Sequence, residues 1–415
     1  MARSNRFDGQ LRCLHKVRLY PTCAQQAILF GFLRLTRELY NALLEQRRDR
    51  WRRERGRVTD QYRQITELRA AEPTFAAVPR ECLDAVLHRL DLAYDACFRR
   101  VKAGQTPGAP RFKSASRWHQ LEFGHGDRAI RFDERQRRMT VTGIGSLKLR
   151  TGRVVPATFG RVFLVHKNGR WYAVFECHRD VAPLPPTGQS VGIDRGIRAL
   201  GALSTGELVA NLRPGSRRKA ATDRCQRALD AVTIKDVRGR PLNTRDRRRI
   251  VAVRRLARAK EREANARRDW LHKCSRAVVN AHDVIVLEDL KLKNMTRSAK
   301  GNAERPGRNV KAKSGLNRAL LDAGFGILGT LIREKAEHAA RRVISVDPRY
   351  SSQECSRCGH IAASNRVRSG FRCGRCCYRC DADINAARVI LARGMAQLAP
   401  RRAPGYARGR PHDAA

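Results

Sequence analysis

Val191-Gly-Ile-Asp194-Arg-Gly196, followed closely by Leu200-Gly-Ala-Leu-Ser-Thr-Gly-Glu-Leu-Val209, is the stretch on which the fold turns. An apolar run ends in an acid, Arg195-Gly196 breaks it, and a second apolar segment comes back. This predicts a strand, a tight return and a second strand, with an acid carried by the first. A matching segment lies downstream. Asp283-Val-Ile-Val-Leu287 is continuous and β-branched, as in a buried parallel strand, and Glu288 ends it. A third acid, Asp383, opens the helical stretch Ile384-Asn-Ala-Ala-Arg-Val-Ile-Leu391. Acids at the ends of buried strands are costly unless something neutralises them. Helix capping or an ion pair accounts well for Asp381 or Asp383, because a helix N-terminus favours an anion, but poorly for Glu288.

Carboxylates so placed suit a hard cation. Mg²⁺ prefers oxygen ligands and keeps part of its water. A pair of such ions about 4 Å apart can activate an attacking water and stabilise a leaving oxygen in phosphodiester hydrolysis. Asp194, Glu288 and Asp383 are therefore candidate catalytic and Mg²⁺-binding residues, with Asp194 best suited to bridge two ions.

The second constellation is Cys355-Ser-Arg-Cys358-Gly-His360 with Cys373-Gly-Arg-Cys376. Two C-x₂-C pairs with 14 residues between them have the spacing of a structural Zn²⁺ site with four thiolates. Cys377 and Cys380 are near enough in sequence to compete as ligands, and His360 reads as a neighbouring group. The other seven of the thirteen cysteines are scattered singly. They read as small buried hydrophobes in a reducing compartment, not as a disulfide framework.

Outward from these motifs, Val181-Ala-Pro-Leu-Pro-Pro-Thr-Gly188 is a proline-rich hinge and marks a domain boundary. Before it, residues 12–20 alternate like a half-buried strand and Pro21 ends them, with Thr22 able to cap the next helix. Helical spacing then runs from Gln25 to about Arg55 and from Arg80 to Val101, and short strands fill 119–180. After the hinge, 212–270 is basic and helical, and 295–315 is expected as a mobile loop. Residues 316–340 are expected as one amphipathic helix with Leu316, Leu320, Leu321, Phe325, Leu328, Leu331 and Ile332 on one side. The segment after Pro400 reads as a disordered basic tail.

The 415 residues carry 86 Lys plus Arg against 39 Asp plus Glu, a net charge of +47. Such an excess calls for a polyanion, and nucleic acid fits because phosphate contacts release condensed counterions. Arg-rich stretches at 47–57, 213–224, 246–268 and 305–313 suit phosphate contacts, and Trp51, Trp118, Phe123 and Trp270 are candidate base-stacking aromatics. No run of about 18 apolar residues and no signal-peptide core is present, so a cytoplasmic protein without a membrane partner is expected.

The chain resembles the TnpB family, the OrfB-type proteins of bacterial insertion sequences related to compact type V CRISPR effectors. The resemblance rests on Val191–Gly196, on Val284-Ile-Val-Leu-Glu-Asp-Leu290 with Asn294-Met-Thr296, and on Gly315-Leu-Asn-Arg-Ala-Leu-Leu-Asp-Ala-Gly324. It continues through Val346-Asp-Pro-Arg-Tyr-Ser-Ser-Gln-Glu-Cys-Ser-Arg-Cys-Gly359 and Asp381-Ala-Asp-Ile-Asn-Ala-Ala387, and more weakly at Arg18-Leu-Tyr-Pro21, Tyr40-Asn41 and Pro110-Arg-Phe-Lys113.

That resemblance implies a multidomain α+β protein. A wedge β-barrel (1–22 and 111–183) would be interrupted by a helical recognition domain (23–110). A ribonuclease H-like RuvC domain (188–348 and 381–398) would follow, holding a zinc knuckle (349–380), with a basic tail at 399–415. It implies RNA-guided DNA cleavage next to a short flanking motif, with a guide RNA and double- and single-stranded DNA as partners. The family's catalytic acids fall on Asp194, Glu288 and Asp383, the last being the acid two before Asn385. Its zinc ligands fall on Cys355, Cys358, Cys373 and Cys376. The family usually has Gly where this chain has Cys377, and a residue other than cysteine at Cys380.

Overall fold

The structure, a computed structural model, describes residues 10–398 apart from 55, 57, 59, 125–128, 134–136, 151–158, 212–215, 235, 238, 240, 241, 243–245, 300 and 302–306. The expected tail at 399–415, and parts of the Arg-rich stretches 47–57, 213–224 and 305–313, lie outside the described residues. The chain divides into two compact units, one ending at Asp180 and the other beginning at Val181, where the proline-rich stretch starts.

In the first unit, β1 (Gln10–Tyr20) turns His15, Val17 and Leu19 inward, as its alternating sequence predicts. It is the middle strand of a seven-stranded antiparallel sheet. The others are β2 (Gln120–Phe123), β3 (Ile130–Asp133), β4 (Arg138–Val141), β5 (Gly145–Arg150), β6 (Val162–Lys167) and β7 (Arg170–Asp180), in the order β2-β6-β7-β1-β5-β4-β3. The long α1 (Cys23–Glu54) enters through a capping box. The Gln25 amide donates to Thr22 Oγ1 at 3.3 Å, and the Thr22 amide donates back to Gln25 Oε1 at 3.1 Å. α2 (Gln61–Ala71), α3 (Pro73–Ala76) and α4 (Arg80–Lys102) follow. The apolar stripe of α2 is too thin to announce a helix by periodicity; it is tied to α1 by Gln61, which accepts from Arg47 at 2.7 Å. Leu29, Leu33, Tyr40 and Leu44 of α1 share one core with Leu83, Leu87 and Leu90 of α4 and with the inner face of the sheet.

Trp118 and Phe123, expected as stacking residues, belong to that core at 5% and 0% exposure. Burial of their large apolar area outweighs any base contact. Trp270 packs partly buried against the second unit's core, and Trp51 is 53% exposed.

The second unit is built on a five-stranded sheet of order β10-β9-β8-β11-β12. It comprises β8 (Ser190–Asp194), β9 (Ala199–Leu203), β10 (Leu208–Ala210), β11 (Val284–Glu288) and β12 (Arg342–Val346). β8, β11 and β12 run parallel, while β9 and β10 form an antiparallel return on one edge. α5 (Ser216–Ala231) and α6 (Arg247–Ala281) cover the basic segment. α7 (Leu292–Met295), α8 (Val310–Ala323), α9 (Phe325–His338) and α10 (Ala382–Leu398) complete the helices. Val191, Ile193, Ile285 and Leu287 point to α6 and α9, packing on Leu271, Val278, Leu328 and Ile332. Val286, Ile344 and Val346 point the other way, to Ile390 of α10.

Two expectations need correction. The single helix over 316–340 is two, broken at Gly324, whose φ of 73° lies in the left-handed region and ends α8. Leu316 and Leu321 consequently sit 45% and 63% exposed instead of on a shared apolar stripe. The loop expected over 295–315 gives way to α8 from Val310, as the helix extends into the Lys-rich segment.

Candidate active site and metal centre

The two strand-end acids are neighbours by register. β8 and β11 pair in parallel with Val191 opposite Ile285 and Ile193 opposite Leu287. One step further brings Glu288 beside Asp194. Strand alternation puts both acids on the face that α10 covers, because their predecessors Ile193 and Leu287 point to the other.

α10 approaches that face closely because Gly192 leaves room. A Cβ on Gly192 would lie 2.2 Å from the Ala387 carbonyl oxygen and 2.6 Å from the Leu391 amide nitrogen. On the helix, Gly394 does the same against Val286, whose Cγ2 would be 2.4 Å from a Cβ there. Asp383 stands in the first turn of the helix so seated. Glycine within a buried strand is what such a close backbone approach requires.

The site's electrostatics follow from this crowding. Burial first, then the charges of Glu288 and Asp383, push the Asp194 carboxyl up from its ordinary 3.8 to about 7. Arg366 and Arg195 oppose the shift. Burial also raises Glu288, against a hydrogen bond from Ser351 Oγ at 2.7 Å and the charges of Arg195 and Arg393. Both Asp383 oxygens are engaged by arginines. Arg366 Nη2 donates to Oδ1 at 3.0 Å, and Arg198 Nε donates to Oδ2 at 3.2 Å. Arg198 also pairs with Asp381, which caps α10 by accepting from the Asp383 amide at 2.9 Å. Asp381 is thus the helix cap, and Asp383 lies near enough for its charge to act on Asp194.

Arg195, 7% exposed, donates to the Glu288 carbonyl and, at 3.4 Å, to the Phe325 carbonyl, tying the end of β8 to β11 and α9. Neither Arg195 nor Ser351, Arg198 or Arg366 was singled out from sequence. Ser351 and Arg198 lie 63 and 185 residues from the acids they bond, Arg195 reaches the Glu288 carbonyl across 93, and no spacing rule exposes such pairings.

The cysteine cluster is more compact. Among the described residues, Cys355, Cys358, Cys373 and Cys376 offer ligand atoms all within 4.8 Å of one another, closer than any trio of acids. Cys355 and Cys376 sulfurs lie 3.7 Å apart, and Cys358 and Cys373 sulfurs 3.6 Å. A disulfide would need about 2 Å, whereas a tetrahedron with metal–sulfur bonds of about 2.3 Å has edges near 3.8 Å. The four sulfurs can hold a metal such as zinc. Cys376 and Arg375 amides, each 3.4 Å from Cys373 Sγ, hold that thiol down to about 6.

The other two cysteines do not join the cluster. Cys377 is exposed with φ 57°, a left-handed turn position. Cys380 sits on the short strand Arg379–Asp381, opposite Phe371 of the strand Gly370–Arg372, and packs inside the segment. His360 contributes its carbonyl, which accepts from the Cys355 amide at 3.0 Å.

Two buried asparagines lock the segment in place. Asn365 donates to the Gln353 and His360 carbonyls and accepts from the Gly374 amide at 2.9 Å, joining the two cysteine turns. Asn385, on α10, accepts from the Ser356 amide at 3.0 Å and donates to the Glu354 carbonyl at 2.7 Å. The cysteine segment and Asp383 are therefore fastened to one helix.

Comparison with known proteins agrees with this arrangement. Residues 325–390 match the family model described as Cas12f1-like, TNB domain. Residues 173–299 match the IS605-type OrfB model described as "Probable transposase", and residues 14–56 match its helix-turn-helix model. In this chain residues 14–56 form most of β1 and the single long α1. The chain is 34% identical over 323 residues to the RNA-guided DNA endonuclease InsQ of Escherichia coli (strain K12), covering 77% of this chain and 76% of that protein. It is 29% identical over 408 residues to an RNA-guided DNA endonuclease of Streptomyces pristinaespiralis, covering 94% and 91%. Among solved structures, the Cas12f1-sgRNA-target DNA complex contains a chain with the same fold, at a TM-score of 0.57 and 12% identity over 92% of this chain and 99% of that one. No helix among the described residues is long and apolar enough to cross a membrane. By its match to InsQ and to the OrfB models, the chain belongs to the TnpB family of IS605-type elements, related to Cas12f.

Proposed function

We propose that this protein is an RNA-guided DNA endonuclease of a transposable element, with Asp194, Glu288 and Asp383 as its catalytic acids. The observation that carries the reading is the seating of α10 on Gly192, which sets Asp383 against the adjoining strand ends bearing Asp194 and Glu288. In this reading the five-stranded sheet is the ribonuclease H-like core of a RuvC domain, and the cysteine segment is its zinc knuckle. The seven-stranded sheet is the wedge domain, and α1–α4 form the recognition domain.

The acids fit hard divalent cations: they are oxygen donors, and burial together with the charges of Glu288 and Asp383 makes an ionised Asp194 costly without a cation. Two Mg²⁺ ions, when bound, supply activation of the attacking water and stabilisation of the leaving 3′-oxygen. The protein's own groups prepare for that. Ser351 orients Glu288, Arg195 fixes the strand ends, and Arg198 and Arg366 offset the charge of Asp383. Asp194 must lose its proton to serve as a ligand, so the site functions above about pH 7 or when cations compete for it. Sequence choice is delegated to pairing between a guide RNA and one DNA strand, and the +47 charge grips the backbones. Products would carry 5′-phosphates and 3′-hydroxyls.

The test is to express the protein with its flanking element DNA, sequence the RNA that co-purifies, and challenge the complex with a target library randomised beside the guide match. Cleavage that needs Mg²⁺, a defined RNA and a short flanking motif, and that Asp194→Ala abolishes, is the expected result. Cutting without RNA, or undiminished cutting by Asp194→Ala, would refute the assignment.

A further inference from the structure

Phe30 is a ring on the outer side of α1, 44% exposed yet held in place. Its centroid lies 4.9 Å from that of His166 and 5.4 Å from that of Trp171, both in edge-on contact. It walls a cleft of about 680 Å³ within the first unit. Arg34 and Arg37, at helical spacings of four and seven from Phe30, continue the same wall. The tip of the β6–β7 hairpin adds His166, Lys167 and Asn168 to the lining, with His166 against Phe30. That tip is stiff: Asn168 and Gly169 have φ of 52° and 74°, the pair of left-handed residues of a type I′ turn. Trp118 also lines the cleft, its indole N–H donating to Thr36 Oγ1 at 2.9 Å. No carboxylate is among the residues lining it, although Arg37 also pairs with the adjoining Glu38 at 3.4 Å.

The cleft is thus preformed, has one exposed aromatic plane, and carries three cations on its rim. Its volume is that of a small-molecule site, enough for a nucleotide. A base can stack on an aromatic plane in the wall of such a cleft only if it is unpaired, and guanidinium groups suit its phosphates. We propose that this cleft binds one unpaired nucleotide of the bound nucleic acid, with the base stacked on Phe30 and phosphates held by Arg34, Arg37 and Lys167. The inference rests on the nucleic-acid-guided reading and assigns to it a site outside the nuclease centre. The nucleotide belongs either to the guide RNA or to a DNA strand opened during targeting, and the two sources give different experimental results.

The experiment is ultraviolet cross-linking of the full-length ribonucleoprotein, with and without target DNA, followed by digestion and mass spectrometry. A nucleotide adduct on the peptide bearing Phe30 or on that bearing His166 is expected. A ribose adduct present before DNA is added marks the guide, and a deoxyribose adduct that appears with DNA marks the target. Phe30→Leu keeps an apolar contact with Trp171 but loses the stacking plane. It should remove the adduct and weaken binding of the identified strand by roughly five- to a hundredfold. Arg34→Gln should lower the salt dependence of that binding by roughly 0.7 in log–log slope. Both variants are checked for an unchanged melting temperature. If Phe30→Leu fails to fold, the Arg34→Gln and Lys167→Gln variants carry the test alone. Adducts confined to other peptides, with both affinities unchanged in Phe30→Leu and Arg34→Gln, would overturn the proposal. If no RNA co-purifies, the parent reading fails first. Labelled oligo(U) and oligo(dT) of about a dozen nucleotides then probe the cleft directly, and absence of a Phe30 or His166 adduct with either rejects it.

Discussion

Gly192 on β8 and Ala387 on α10 are so close that a single added methyl group at Gly192 would lie 2.2 Å from the Ala387 carbonyl oxygen. That contact sets how deeply the helix bearing Asp383 sits on the strand bearing Asp194. Backbone atoms on the helix cannot swing aside as a side-chain end can, so Gly192→Ala must lift α10. A displacement of about 1 Å at a reacting centre costs roughly a hundredfold in rate. Gly192→Ala is expected to lose cleavage by that factor or more while guide RNA stays bound, read by parallel cleavage and RNA-retention assays. Gly315→Ala, in open space on α8, is the control and should leave the melting temperature unchanged or slightly raised.

The charge state of Asp194 gives the folded protein a pH dependence of definite sign. Its pKa is about 7 in the folded chain against an ordinary 3.8, so across that window the native state holds more protons than the unfolded one. Stability therefore falls as pH rises from about 4 to about 7 and levels off above. Raised Glu288 acts in the same direction. Melting curves without added Mg²⁺ should show the wild type losing stability from pH 5 to pH 8, and Asp194→Asn losing much less. Added Mg²⁺ should restore the wild type at pH 8 more than the variant.

Arg198 and Arg366 compete with cations for Asp383. Neutralising either one, as Arg198→Gln or Arg366→Gln, should tighten Mn²⁺ binding several-fold by calorimetry, since the nearby carboxylates lose a counter-charge. A weaker or unchanged affinity in both variants would show that the arginines do not oppose the metal.

The four-cysteine assignment separates cleanly from its rivals. Cys355→Ser and Cys373→Ser should each lose zinc measured by elemental analysis and loosen α10 through the Asn385 bridges. Cys377→Ser and Cys380→Ser should keep it. Cys377→Gly should keep zinc and gain about 1 kcal/mol, because φ 57° is strained for a side chain and free for glycine.

Much of the site was legible because its signals are local. An apolar run ending in an acid announces a buried strand with a charged end, and paired C-x₂-C spacing announces a tetrahedral thiolate set. Thr22 announced the cap of α1. The break at Gly324 was less legible: glycine in a helical pattern is tolerated as often as it ends a helix, and only the packing of Leu328 beneath the sheet and of Phe325 against Leu320 and Ala323 chose the break. Trp118 and Phe123 misled for the opposite reason, since basic neighbours in sequence say nothing about which side of a strand an aromatic ring takes.

By itself, then, the sequence determined most of the strands and the long helices, the acids and thiolates available, and the need for a polyanionic partner, all of which depend on residue identity and short spacings. Tertiary structure decided which groups meet. Arg366 reaches Asp383, Ser351 reaches Glu288, and Phe30 joins a hairpin tip more than 130 residues away. The meeting of the two strand-end acids with the helix bearing Asp383 is fixed by the parallel register of β8 and β11 and by a glycine too small to hold that helix away, and the Phe30 contact by α1 packing on the β6–β7 hairpin. Such long-range geometry follows from packing a whole core at once, and no stretch of the chain contains it.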